Sequence, residues 1–76
     1  MPPDFLSESF MKIRINEEER DVPEGASVAD VVETLSLNPK FIAVEVNLEL
    51  IPRGEHATYK LSAGDQLEVV TLVGGG

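Results

Sequence analysis

The sequence contains no cysteine, no tryptophan and one histidine, His56, in 76 residues. Without thiols there is no disulfide framework, no cysteine nucleophile and no thiolate set for zinc or an iron–sulfur cluster. A lone histidine with no Asp, Cys or second His at ligand spacing is not a metal site, so His56 is read as a local structural residue. Positive charge is also scarce. Six Lys and Arg face fourteen Asp and Glu, a net charge of −8. Such a chain lacks the basic face that displaces counterions from nucleic acid, and it is not drawn to anionic lipid. No apolar run approaches the roughly 18 residues of a membrane span, and no signal-peptide pattern opens the chain. A cytoplasmic protein is expected, with neither nucleic acid nor membrane as partner.

Aromatic residues are few, three Phe and one Tyr. The core is therefore expected to be aliphatic, with little room for a deep pocket of the few hundred cubic ångströms that small-molecule sites use. The length allows a single small domain of modest stability. These limits favour a carrier or binding module over a self-contained enzyme.

Residues 1–10 lack sustained periodicity and are expected to be a flexible extension. From Met11 the pattern is regular. Met11, Ile13 and Ile15 alternate with Lys12 and Arg14, the period of a half-buried strand. Asn16–Glu19 reads as a hairpin tip and Arg20–Val22 as a short return strand ended by Pro23. A helix follows. Ser27 can cap it, Asp30 sits at its third position, and Val28, Val31, Val32 and Leu35 share one face. Asn38-Pro39 is expected to stop it. Phe41–Val46 is a continuous apolar run, read as a well-covered strand. Leu50-Ile51-Pro52 reads as an edge strand, since Pro52 cannot donate to a ladder. Arg53–Leu61 is weakly patterned, with Tyr59 and Leu61 as anchors. Gln66–Val73 is apolar on both faces, which predicts a central strand. The order ββαβββ with first and last strands adjacent is an α+β roll: a ubiquitin-like β-grasp, a mixed sheet with one main helix packed across one face. The domain spans 11–73, leaving 74–76 as a flexible glycine tail.

Gly74, Gly75 and Gly76 are the most informative residues. A glycine run ordinarily marks a linker or a frayed end. Here it follows a strong strand with no polar spacer, and its last residue carries a carboxylate. Three residues extend at most roughly 10 Å, enough to hold that group clear of the domain. Glycines thread a narrow channel and take dihedrals closed to other residues. The carboxylate, with an unperturbed pKa near 3.5, is ionised and can attack the α-phosphate of a nucleotide. Gly76 would supply the reacting carboxyl, Gly75 the clearance and Gly74 the reach, making the tail a substrate for another enzyme.

The chain resembles the sulfur carrier proteins of thiamine biosynthesis, the ThiS family. Val46-Asn47, Ile51-Pro52-Arg53, Ala63-Gly64-Asp65 and Val69–Gly76 carry the likeness, supported by Met11–Asn16 and the helix from Ser27. The resemblance implies that a ThiF-type enzyme adenylates Gly76 using ATP, and that a sulfur donor protein then supplies the atom that makes it a thiocarboxylate. It further implies that the thiazole synthase ThiG takes up that sulfur. No bound cofactor is implied; ATP is used by the activating enzyme. Two features depart from the family: Leu48 stands where a glycine commonly follows Asn, leaving the turn type open, and residues 1–10 precede the usual start.

Arg53, Val70 and Leu72 are candidates for partner contact. For Arg53 the alternative is a local cap or ion pair, and for Val70 and Leu72 it is core packing. Glu17, Glu18 and Glu19 read as a solvated hairpin tip, or as part of a field steering the chain toward a basic partner. Other functions stay open: the small subunit of a molybdopterin-type synthase, a modifier conjugated to lysines, or an inert β-grasp interaction module. An independent enzyme is weakest, since no nucleophile–base pair can be assembled.

Overall fold

The computed structural model describes residues 9–72. The extension up to residue 8 and the run Val73–Gly76 lie outside the described residues. β1 (Phe10–Ile15) buries Met11, Ile13 and Ile15 and exposes the residues between them, as the alternation requires. It turns through Asn16 and Glu17, both at positive φ (50° and 73°). The twist of such a two-residue turn matches that of the flanking strands. The tip is thus shorter than expected: Glu18 and Glu19 already belong to β2 (Glu18–Pro23), opposite Ile15 and Arg14.

The helix α1 (Val28–Thr34) starts where the sequence places it. The Ser27 side chain accepts the Asp30 amide, and the Asp30 carboxylate accepts the Ser27 amide, a complete capping box. The two preceding orphan amides are also satisfied, Val28 by the Tyr59 carbonyl and Ala29 by the His56 carbonyl. The C-terminus differs from expectation. The helix ends at Thr34, several residues before Asn38-Pro39, because Ser36 adopts φ 60°. Its amide bonds Glu33, and the Leu37 amide bonds Val32, a Schellman closure with serine in the position glycine usually fills. Asn38-Pro39 instead opens a 3-10 turn, Pro39–Phe41, with the Asn38 side chain accepting the Lys40 amide.

That turn removes Phe41 from the expected strand. β3 is Ile42–Val46, and Phe41 is 55% exposed. β3 turns through Asn47 and Leu48 into β4 (Glu49–Ile51), a 3-10 turn spans Arg53–Glu55, and β5 (Gln66–Thr71) ends the described fold. The sheet order is β2-β1-β5-β3-β4, with β1 and β5 parallel and the other neighbours antiparallel. This is the mixed sheet of the β-grasp fold. β5 is central and β4 an edge, as expected. Val28, Val31 and Val32 of α1 pack with the inward residues of the sheet into an aliphatic core in which Ile13, Val44, Val46 and Leu67 are almost fully enclosed.

Candidate functional site

Any site carried by the glycine run must be presented by β5, and beside the ladders with β1 and β3 three further contacts hold that strand. At its start the Asn47 side chain accepts the Gln66 amide (3.0 Å) and donates to Asp65 (3.0 Å). Farther along, Asn16 accepts the Val69 amide (2.8 Å) and donates to the Val69 carbonyl (3.2 Å). That side chain prolongs the pairing of β1 with β5 after β1 itself has turned away. At the end, the Leu72 amide bonds the Phe41 carbonyl at 2.6 Å. Asn16 and Asn47 occupy equivalent places, each the first residue of a two-residue hairpin turn at positive φ. Asparagine tolerates that conformation better than most residues, and its amide offers both a donor and an acceptor. Inspection of the sequence places both asparagines in turns but misses their grip on the last strand.

The turn at Leu48 resolves a question the sequence leaves open. Leu48 takes φ 71° and is 90% exposed, so the hairpin keeps the geometry that an Asn-Gly pair would favour and accepts the strain of a leucine there.

Val70 and Leu72 project from the sheet face opposite α1, each about half exposed (51% and 48%). They are not core residues. β5 is apolar on both sides, yet among the described residues only one side is covered. Val70 lies across from Ala43, and Glu68 directly across from Glu45; Leu50 is the next residue along that row. The open face thus sets exposed apolar side chains beside a pair of facing carboxylates. Like charges in direct cross-strand register are unfavourable.

Arg53 does not join Val70 and Leu72. It lies on the helix side of the sheet, lining a cleft of about 670 Å³ together with Ala29, Val32, Leu37, Lys40 and His56. A cavity of that size goes beyond the expectation from composition, because it opens between loops rather than inside the core. Among the described residues Arg53 makes no ion pair, so the local pairing considered for it is not observed. His56 is a structural residue: buried, with its Nε2 3.0 Å from the Ile51 carbonyl. A carbonyl only accepts, so Nε2 carries the proton. Its ring ties to β4 and its own carbonyl to α1, an anchor that the weakly patterned segment conceals. Gly74, Gly75 and Gly76 lie outside the described residues. Among those described, no helix is long and apolar enough to cross a membrane.

Among the described residues Asp30 has a pKa lowered by hydrogen bonds from the Ser27 backbone and side chain, with Lys60 adding to the effect. That shift belongs to the helix cap.

Comparison with known proteins takes in the glycine run as sequence. Residues 8–76 match the model of the ThiS family. The fold is similar to the crystal structure of a thiamine biosynthesis protein (ThiS) from Geobacter metallireducens, with TM-score 0.75 and 25% identity, over 87% of this chain and 100% of that one. A thiazole synthase of Paramagnetospirillum magneticum is 38% identical over 66 residues, and one of Magnetococcus marinus is 35% identical over 66. The match takes in 87% of this chain but only 20% of each synthase. An uncharacterized protein, ycf40, of Porphyra purpurea is 37% identical over 87% of this chain and 93% of its own length.

Proposed function

The chain belongs to the ThiS family, and from that membership we propose that it is a sulfur carrier of thiamine biosynthesis whose working group is the carboxyl of Gly76. The observation that carries this reading is the family match, which runs through the glycines to residue 76. In the proposed cycle a carboxylate oxygen of Gly76 attacks the α-phosphorus of ATP on a ThiF-type enzyme and pyrophosphate leaves. Hydrosulfide then attacks the acyl carbon and AMP leaves, so the terminal carboxylate has exchanged one oxygen for sulfur. Where a donor protein's persulfide is the attacking group, the first product is an acyl disulfide, which a thiol reduces to the thiocarboxylate. Glycine at 75 and 76 places no side chain beside the reacting carbon, where approach and orientation set the rate. The protein is a co-substrate in this scheme, and the nucleotide belongs to the activating enzyme.

Thiazole synthase is the proposed acceptor. Its support is that a stretch similar to this chain makes up a fifth of two polypeptides bearing that name. The open sheet face suits such a partner: Val70 and Leu72 supply apolar contact, and the Glu45–Glu68 pair favours a cationic rim. Arg53 is left out of this face by its position on the other side of the sheet.

The test is an intact-mass measurement after incubation with ATP, a ThiF-type enzyme and sulfide. The expected result is the mass gain of one oxygen replaced by sulfur. The gain should vanish when Gly75 and Gly76 are deleted, while the thermal transition stays unchanged. Failure of the intact chain to gain the mass with an adenylating enzyme of proven activity would remove the proposal.

A further inference from the structure

Lys40 and Arg53 are the two cations of this chain that line the helix-side cleft. Lys12, Arg14 and Arg20 pair with Asp21, Glu19 and Glu18, and Lys60 acts on the carboxyl of Asp30. Among the described residues Lys40 and Arg53 have no carboxylate within ion-pair distance, and both line the same cleft. In a molecule with a net charge of −8, two of the three cations that form no ion pair among the described residues, the third being Lys60, meet at one concavity. We propose that this cleft is a binding site for a small phosphorylated molecule with a flat apolar body.

The walls separate the two requirements. Ala29, Val32 and Leu37 come from α1 and the turn after it, and Pro39 and Ala57 complete an apolar surface. Lys40 stands in the 3-10 turn Pro39–Phe41 and Arg53 in the turn Arg53–Glu55, so both cations are carried by hydrogen-bonded turns. Arginine offers a planar fork to phosphate oxygens and lysine a mobile point charge, a combination suited to a phosphomonoester. His56 is already held through Nε2; in the neutral ring its Nδ1 is an acceptor, open to a hydroxyl or amine of the ligand. Glu33 also lines the cleft without pairing with either cation, which disfavours a second anionic group on the ligand's body. The volume, about 670 Å³, lies within the range of small-molecule sites. This site is on the opposite side of the sheet from Val70 and Leu72, and its occupancy does not depend on the carrier chemistry proposed above.

The test is a titration of the full-length ¹⁵N-labelled chain with phenyl phosphate, inorganic phosphate and benzyl alcohol, followed by amide shifts. Phenyl phosphate should move the Lys40, Arg53, His56 and Ala57 amides saturably and leave Val70 and Thr71 in place. Phosphate alone and benzyl alcohol alone should each bind at least about tenfold more weakly, because each keeps only one of the two recognition elements. The double variant K40Q/R53Q, altered at two exposed positions, should keep its thermal transition and lose phenyl phosphate affinity by about tenfold or more. Equal binding of benzyl alcohol, equal binding of inorganic phosphate, an unchanged affinity in the double variant, or shifts spread over the whole surface would each overturn the assignment.

Discussion

Single residues settle how the helix begins and ends. Ser27 is buried and bonded in both directions with Asp30, so Ser27→Ala should lower stability by about 1 kcal/mol in chemical denaturation. The same bonds give the pH dependence its sign. Because the folded-state pKa of Asp30 is lowered, its contribution is complete above the ordinary aspartate range, about pH 4, and is lost as pH falls through the lower folded value. Ser27→Ala should therefore flatten the acid limb of a stability–pH curve, and a limb of unchanged steepness would show the cap to be idle. At the other end, Ser36 occupies a left-handed position, and Ser36→Gly should raise stability by roughly 0.5–1 kcal/mol in the same measurement. The start of the helix is legible in the sequence, since Ser27 and Asp30 form a recognisable cap before a valine stripe. Its end is not. Serine carries no sign of a left-handed conformation, and Asn38-Pro39 resembles a stop while serving as the opening of a separate turn.

Elements are joined here by side chains that imitate backbone. Asn16 supplies the central strand with a donor and an acceptor at Val69 where β1 has ended. Asn16→Gly, which removes the side chain but keeps the positive φ of the turn, should release that part of β5 while leaving β1 and β2 paired. The Val69 amide should then exchange with solvent about tenfold faster or more, equivalent to the loss of roughly 1.4 kcal/mol of local stability; an unaltered rate would show that β5 is held by other contacts. The strands themselves follow from alternation, and β1, β3 and β5 lie close to where the hydrophobic pattern puts them. The helix-side cleft has no such signature. It arises because two 3-10 turns, separated by the β3–β4 hairpin, line one cleft with residues of α1, and nothing local in Lys40 or Arg53 announces the other. On the open face, Glu45 and Glu68 oppose each other across β3 and β5. Glu45→Gln should leave stability unchanged or raise it by a few tenths of a kcal/mol, yet slow association with the activating enzyme or the synthase at low salt. Loss of that rate difference in high salt would mark it as electrostatic steering; an equal rate at every salt concentration would take Glu45 out of the docking face.

The molecule as a whole is two-sided. One side of the sheet is closed by α1 and edged by the cationic cleft; the other is open, apolar around Val70 and Leu72, and acidic beside them. Only the first side shares in the core, so the residues of the second are available for contact without cost to the fold. That division separates what holds the protein together from what it is proposed to do, and the chemistry itself is proposed for Gly76. The most direct measurement is the mass of the C-terminal peptide, released by protease after incubation with ATP, a ThiF-type enzyme and sulfide, and fragmented to its last residue. The account predicts that the sulfur-for-oxygen exchange is found on Gly76 alone, and that an alanine added after Gly76 prevents it. Exchange located elsewhere in the chain, or undiminished with the added alanine, would contradict it.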